Sequence, residues 1–351
     1  MTANQDPIVI IGGGISGVMA ARTLAEAGED QVLLLDKGRG LGGRMVTRAF
    51  QGAKIDHGVQ YFTAHSQAFQ HLVKQWQEQG WVNEWKSSLT TYYGTGGMNA
   101  LVKHLADPVD FCVRVRVTQV QAQPNGWLLR WISEEQDYVA QTYSEVPNEA
   151  IYDPGKQAVV HARAIISTVP APQLLYLLDQ GKVQVEQFIR EKLQAIQYLP
   201  CLTALVVLKE PCPLQEFLNK QLPYPLKLIT DNFKKGISEV PALTIQIHEE
   251  WSKENFWRED QDILGEILKV AEPWVGTGEK LGVALKRWTY SLPSAIVRES
   301  FMSIETTAPL LIAGDVFVPE SDPLGYGRVE TAVLSGIAAA KALLELEKKK
   351  R

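Results

Sequence analysis

The sequence is short of the features that mark several classes of protein. Its 351 residues hold 3 cysteines, Cys112, Cys201 and Cys212, an odd number with no C-x-x-C pair. That argues against a disulfide framework, a zinc knuckle or a dithiol redox centre, and no metal site is expected. No apolar run approaches the ~18 residues of a membrane-spanning helix, so no membrane partner is expected. The polar start, Met1 to Asp6, lacks the basic region of a signal peptide. Positive charge is not in excess: 35 Lys plus Arg against 40 Asp plus Glu leave a net charge of −5. Such a chain repels phosphate polyanions, so no nucleic-acid partner is expected. No internal repeat is visible. What remains is a globular composition, 45% hydrophobic and 21% charged, and a length that at roughly 150 residues per domain points to about two domains. The expectation is a soluble, cytoplasmic protein with a cofactor or small-molecule substrate between its domains.

The first informative stretch is Ile8-Val9-Ile10-Ile11-Gly12-Gly13-Gly14-Ile15-Ser16-Gly17. Four β-branched residues in a row predict a strand buried on both faces. Ile15, Val18, Met19 and Leu24 then recur at helical spacing, with Gly28 as a C-terminal cap. Gln31 to Leu35 predicts a second strand, ending in Asp36. The order is strand, Gly12-x-Gly14-x-x-Gly17, helix, strand, acid, which is the pattern of a dinucleotide site. Gly12 allows the tight turn, Gly14 lets the backbone approach a pyrophosphate, and Gly17 brings helix and strand together. The helix start at Ile15 and Ser16 supplies unpaired N–H donors. Asp36 accepts from a ribose hydroxyl and repels a 2′-phosphate.

The next turn, Lys37-Gly38-Arg39-Gly40-Leu41-Gly42-Gly43-Arg44, favours FAD over a nicotinamide nucleotide. A simple dehydrogenase has no need of a second basic glycine turn, whereas the pyrophosphate of an extended FAD needs cationic partners. Gly42 and Gly43 allow close approach, and Arg44 offers a bidentate fork. Lys37 and Arg39 read equally well as a solvated basic loop. Near the other end, Pro309 to Asp315 predicts a buried strand closing in Gly314-Asp315. A small-residue helix starting near Val329 follows. Asp315 is expected to meet the ribityl hydroxyls, and the helix start to point at the flavin edge where negative charge develops on reduction. The same unit also reads simply as the closing strand and helix of the sheet.

Four segments then carry a family resemblance. Ile55-Asp56-His57-Gly58-Val59-Gln60-Tyr61-Phe62, Tyr93-Gly94-Thr95-Gly96-Gly97-Met98, Arg287-Trp288-Thr289-Tyr290-Ser291-Leu292-Pro293 and Arg328-Val329-Glu330-Thr331-Ala332 to Gly336 resemble the renalase family of FAD-dependent oxidoreductases, within the amine-oxidase superfamily. They span nearly the whole chain. Thr331 departs from the pattern, standing where the family often has glycine. The polar stretch from Glu134 to Gln157 is longer than the family pattern and reads as a mobile surface insertion.

The resemblance implies a fold, a cofactor and a chemistry. The fold is α/β, a Rossmann-like FAD-binding domain with an inserted mixed-sheet substrate domain. Its expected borders are residues 1–60, 95–172 and 303–351 for the FAD domain and 61–94 and 173–302 for the substrate domain, with the flavin ring at their junction. FAD is expected to be bound non-covalently by Gly12, Gly14, Ile15, Ser16, Gly17, Asp36, Lys37, Arg39, Gly43 and Arg44. To these the resemblance adds His57, Gly58, Val59, Gln60, Val115, Thr168, Pro170, Gly314, Asp315, Arg328, Val329, Glu330 and Ala332. The substrate face is expected from His57, Gln60, Tyr61, Tyr93, His248 and Trp288, with Tyr290 nearby. Each of these also has an ordinary reading as a core aromatic or a satisfied structural histidine. The implied reaction is oxidation of 2- or 6-dihydro isomers of NAD(P)H by FAD and O2, in a monomer. Three other readings stay open: an amine oxidase or desaturase of the same superfamily, a non-catalytic FAD-binding protein, and a plain NAD(P)-dependent dehydrogenase.

The helices predicted from periodicity are Gln67–Glu78, Met98–Leu105, Val185–Leu193, Asp260–Val270 and Thr331–Leu346. Strands are predicted around Phe111–Gln121, Trp127–Ile132, Ala164–Val169, Leu202–Leu208 and Leu243–Ile247. The closing Lys348 to Arg351 reads as a frayed, solvated helix end.

Overall fold

The computed structural model describes residues 6–85, 90–133, 139–141, 157–214, 218–219, 222–304 and 306–349. Most of the stretch read as a polar insertion therefore lies outside the described residues. The chain divides into two units, residues 1–43, 102–197 and 295–351, and residues 44–101 and 198–294.

The first unit is built on a seven-stranded sheet. Its order is Val139–Gln141, Phe111–Val113, Val32–Leu35, Ile8–Ile11, Ala164–Ser167, Leu310–Ile312, Met302–Ile304. The five inner strands are parallel and the two edge strands antiparallel. Four of the inner strands are buried at every position, the sequence signature of a parallel sheet covered on both faces. A three-stranded antiparallel sheet, Gln157–Ala162, Gly126–Ser133 and Val115–Gln123, completes the unit's β-structure among the described residues.

Two helices, Ile15–Glu26 and Val329–Lys348, pack against each other. The last helix buries Ala332, Ser335, Gly336, Ala339, Ala340 and Leu343, a spacing of three and four that sets small residues on one stripe. A Cβ added at Gly336 would lie 2.1 Å from the carbonyl oxygen of Ser16, so here the two helices meet backbone to backbone. Arg163 links the far ends of the unit, reaching Glu29 at 2.6 Å and Glu347 at 2.8 Å.

The second unit carries a five-stranded sheet in the order Leu218–Asn219, Leu226–Asp231, Ala242–Ile247, Tyr198–Leu208, Lys280–Pro293. Every pairing is antiparallel, so the sheet expected to be mixed is not. Strand Tyr198–Leu208 shows the period of two plainly. Leu202, Ala204, Val206 and Leu208 join one core with Ile263, Ile267, Ala271 and Val275 of helix Asp260–Val275. Leu205 and Val207 face the other way, against Ala53 and Ile55 of the hairpin Thr47–Phe50/Ala53–Asp56.

That hairpin contact lies within the second unit. Residues 44–60 and 95–101 group with the second unit, and residues 173–197 and 295–302 with the first, whereas the expected borders had them reversed. Helices Gln67–Glu78 and Met98–Leu105 stand where periodicity put them. Helix Asp260–Val275 continues five residues past its expected end, through Pro273. The helix expected at Val185–Leu193 is Gln187–Ala195. Helix Ala171–Gln180 was not expected, because Pro170 and Pro172 read as strand breakers. They sit at its N-cap and second position, where a missing N–H costs nothing. Among the described residues no helix is long and apolar enough to cross a membrane, and all three cysteines are buried and unbridged.

The Gly336 contact yields a stability prediction. Alanine is favoured over glycine in a helix by roughly 1 kcal/mol, yet Gly336→Ala is expected to lose about 1–3 kcal/mol through overpacking. Urea unfolding reads the sign; an unchanged or raised midpoint refutes the backbone contact.

Candidate active site

In the first unit, strand Ile8–Ile11 runs into Gly12, held by its N–H to Leu35 O at 2.8 Å and set at φ +108°. A Cβ at Gly17 would lie 2.0 Å from Gly12 O, so only glycine lets the helix start this close to the turn. Thr168 supports the turn from the neighbouring strand, its Oγ1 donating to Gly12 O at 2.9 Å with Ile11 O at 3.2 Å. Pro170 follows as the N-cap of helix Ala171–Gln180. The second glycine turn lies against the first. Gly42 N donates to Gly13 O at 2.9 Å, and a Cβ at Gly43 would come within 3.1 Å of Gly14 Cα.

This arrangement fits a dinucleotide. A Cβ on Gly14 would meet nothing within 4 Å, so the space above it is open. Ser16, in the first turn of the helix beginning at Ile15, is buried, and its Oγ has no partner among the described residues. A buried hydroxyl at a helix start beside an open glycine is what a pyrophosphate oxygen requires.

Asp36 differs from its expected role in one respect. Its two oxygens already accept backbone N–H groups, Oδ2 from Gly13 at 2.6 Å and Oδ1 from Gly38 at 2.5 Å. The carboxylate therefore braces both turns, and each oxygen keeps a lone pair for a ribose hydroxyl. Burial pushes its pKa up, opposed by the N–H groups of Gly13 and Gly38 and by the Lys37 ammonium. Val115 N donates to Asp36 O at 2.9 Å, placing Val115 beside the acid. Lys37 is exposed and reaches Gln173 at 3.3 Å, and Arg39 is exposed.

At the other end of the unit, Gly314 N donates to Ser335 Oγ at 3.0 Å. Thr331 Oγ1 accepts Arg328 N at 2.8 Å and lies 3.1 Å from Asp315 O. The family departure at Thr331 thus closes the helix N-terminus and ties it to the Gly314-Asp315 turn. Asp315, Val329, Glu330 and Ala332 are buried there. Arg328, expected to touch the cofactor, directs its guanidinium to Asp322 at 2.5 Å and Glu330 at 3.1 Å.

In the second unit the D-H-G-x-Q segment forms a dense cluster. Gly58 is obligatory, since a Cβ there would lie 1.9 Å from Arg44 O, the atom that accepts Val59 N at 2.8 Å. Arg44 Nη1 donates to Ser291 O at 3.1 Å. The His57 ring stacks on Trp288 with centroids 5.4 Å apart and a 27° interplanar angle, and Trp288 Nε1 donates to His57 O at 2.9 Å. Burial, then the nearby Lys286 and Arg48 cations, lower the His57 pKa to about 4, against the pull of Asp56. His57 is therefore neutral at physiological pH, and its buried Nδ1 has no partner among the described residues. Gln60 Nε2 donates to Asp56 O and Gly58 O, both at 2.9 Å, while Gln60 Oε1 is likewise buried and unpartnered.

The structure brings His57, Gln60 and Trp288 into one cluster. Tyr61 and Tyr93 pack with Trp85 on Leu228, and burial raises the Tyr93 phenol pKa. The His248 imidazole is 41% exposed and stacks on Tyr224 with centroids 5.9 Å apart, and two residues earlier Gln246 Nε2 donates to Gly58 O at 2.7 Å. His248, Glu249 and Glu250 put potential ligand atoms within 4.8 Å of one another, but Glu249 is engaged by Lys227. Sequence reading missed Lys235, which pairs with Asp56 at 2.7 Å with both side chains fully buried, and Asn232, which accepts Asp56 N at 3.1 Å. Nothing in Asp231-Asn232-Phe233-Lys234-Lys235-Gly236 separates Lys235 from a solvated lysine.

The parallel sheet and open glycine turn define a dinucleotide-binding protein. Residues 10–76 match the model of the NAD(P)-binding Rossmann-like domain, and residues 82–344, more than half of the chain, match that of the flavin containing amine oxidoreductases. The chain belongs to the flavin containing amine oxidoreductase family, a family of flavin-dependent oxidoreductases with FAD as cofactor. A putative protoporphyrinogen oxidase from Exiguobacterium sp. 255-15 has the same fold, with a TM-score of 0.66 and 12% identity over 100% of both chains. So does cyclohexylamine oxidase from Brevibacterium oxydans IH-35A, with a TM-score of 0.67 and 12% identity over 98% of this chain and 100% of that one. Locally, the chain is 39% identical over 54 residues to polyamine oxidase 7 of Oryza sativa subsp. japonica (15% of this chain, 11% of that protein). It is 38% identical over 61 residues to polyamine oxidase 1 of the same plant (17% and 12%). The matched stretches thus span about a tenth of those relatives' length.

Two predictions test the site. Asp36→Ala is expected to release FAD on dialysis while leaving far-UV circular dichroism unchanged; full flavin occupancy after dialysis refutes the ribose and turn-bracing role. His57 concerns pH. Its folded pKa lies below the unfolded value of 6.5, so the unfolded chain takes up the proton first and stability falls as pH drops from about 6.5 towards 4. Between pH 7 and 5 the wild type is expected to lose roughly 2 kcal/mol more than His57→Gln. Equal losses in urea titrations at the two pH values refute a neutral, buried His57.

Proposed function

We propose that this protein is a renalase-like oxidase, taking hydride from 2- or 6-dihydro isomers of NAD(P)H and giving NAD(P)+ and hydrogen peroxide. The bound FAD supplies hydride acceptance and its later return to O2. The observation that carries the reading is the His57–Gln60–Trp288 cluster, which offers flat surfaces and neutral polar atoms but no available carboxylate base. Asp56, the carboxylate of the cluster, is spent on Lys235, Thr47 and the Met98 N–H. Oxidising a dihydropyridine needs no base, because the ring loses only hydride and gains aromaticity. A flat indole and imidazole stack suits a flat substrate and excludes water. A neutral His57 does not repel the cationic pyridinium product, whereas a protonated one would.

The second reading is an amine oxidase, favoured by the local likeness to polyamine oxidases. Lys286 and Trp288 alternate along strand Lys280–Pro293, which puts them on one face, and Tyr290 follows within the irregular pairing beyond Trp288. Tyr290, however, meets Tyr198 edge to face at 84° with centroids 5.5 Å apart, so these two rings touch rather than flank a gap for an amine.

Anaerobic mixing separates the two. The flavin absorbance is expected to bleach rapidly with 6-dihydro-NAD or 2-dihydro-NAD and not with cyclohexylamine or spermidine. Rapid bleaching by an amine, with none by either dihydropyridine, overturns the proposal in favour of the second reading.

A further inference from the structure

Gln60 is more constrained than its position in a motif implies. Both partners of its Nε2, Asp56 O and Gly58 O, are carbonyl oxygens. They accept only, so the amide nitrogen must face them and Oε1 must face away. That oxygen is buried in a residue 2% exposed and has no partner among the described residues. A buried acceptor left without a donor is costly, and folded proteins keep few of them. It marks a place where a bound molecule presents an N–H or O–H.

The orientation of Gln60 is set from 175 residues away. Lys235 Nζ donates to Gln60 O at 2.6 Å and to Asp56 Oδ2 at 2.7 Å, and lies 5.5 Å from the Tyr93 ring centroid. Asp56 Oδ1 accepts Thr47 Oγ1 at 2.5 Å and Met98 N at 2.9 Å, and Asp56 O also accepts Thr244 Oγ1 at 2.6 Å. One ammonium thus pins both ends of the turn whose side-chain amide closes back on it. Ordinary core packing does not call for a fully buried lysine and carboxylate here, because desolvating both is expensive.

We propose that Lys235 is a positioning residue that fixes Gln60 Oε1 as the acceptor for an amide- or imide-type N–H. Two bound molecules carry that group on a flat ring: the flavin, with its N3–H, and a nicotinamide, with its carboxamide. The carboxamide source rests on the substrate reading above; the flavin source does not.

The experiment uses FAD-loaded wild type, Gln60→Leu and Lys235→Met, with two readouts. The first is the pH at which flavin N3–H ionises, followed by absorbance. If the flavin is the donor, losing the acceptor destabilises the protonated form, so both variants are expected to ionise at lower pH. Loss of the Lys235 charge alone would destabilise the flavin anion and move ionisation the other way. The second is the ratio of kcat/KM for a dihydronicotinamide to that for its 3-acetyl analogue, which lacks the N–H. If the substrate is the donor, both variants are expected to lower this ratio roughly tenfold. A parallel change in the first readout names the flavin as donor, and one in the second names the substrate; either supports the proposal. It is overturned if Gln60→Leu changes neither readout. It is also overturned if Lys235→Met leaves the substrate ratio at its wild-type value while its ionisation is unchanged or moves to higher pH. Should Lys235→Met fail to fold, the double variant Asp56→Asn with Lys235→Met removes both buried charges, and the same outcomes apply. The ionisation readout needs no substrate: where wild-type protein is not bleached by dihydronicotinamides, a lowered ionisation pH still supports the proposal and an unchanged one in Gln60→Leu overturns it.

Discussion

A lysine ammonium and an aspartate carboxylate in contact, both removed from water, set the terms for the second unit. Desolvating each ion costs several kcal/mol, and the pair recovers that cost only when every remaining proton and lone pair is used. Here most are used: the carboxylate takes Lys235, Thr47 and a backbone N–H, and the ammonium takes Asp56 and the Gln60 carbonyl and lies 5.5 Å from the Tyr93 ring. Removing one partner would strand a buried charge at about 3–5 kcal/mol. The hairpin Thr47–Phe50/Ala53–Asp56, the helix start at Met98 and the turn after Asp231 are thereby fixed to one point. His57 and Gln60 follow Asp56 directly, so their placement inherits this rigidity.

The first unit depends on a different constraint, the near-contact of backbones. Helix Ile15–Glu26 approaches the Gly12 turn at Gly17, and helix Val329–Lys348 approaches Ser16 at Gly336, each at a distance no side chain permits. Burial of small apolar surface is the force, and glycine is the means. The result holds the helix start and its open space over Gly14 still, which matters because a pyrophosphate is bound by groups whose positions are set before it arrives.

Much of this was legible in the sequence. Four β-branched residues before Gly12, the spacing of three glycines and the acid at Asp36 spell out a local unit, whose parts touch within about thirty residues. Helices Gln67–Glu78 and Met98–Leu105 were legible because their stripes are regular. What was not legible is long-range. Lys235 looks like any surface lysine until the fold sets it against Asp56, and nothing in the sequence around His248 announces its stack on Tyr224. Asp36 reads as a ribose ligand by position, but its bonds to Gly13 and Gly38 arise from turn geometry that spacing does not encode. Arg328 reads as a cofactor contact by motif, and its ion pair with Asp322, six residues earlier, is not something that motif announces. Strand Lys280–Pro293 carries Arg287, Trp288 and Tyr290 on a weakly patterned run, and neither period dominates there.

The backbone contact at Gly336 has a consequence for how the protein is made. Ribosomal synthesis delivers the Gly12–Gly17 turn long before its buttress at Gly336. Through all the intervening elongation the nucleotide turn lacks the helix that packs against Ser16, and the central sheet lacks strand Leu310–Ile312. The first unit therefore closes only after helix Val329–Lys348 has been made, and FAD, by binding the closed form, favours that closure by mass action.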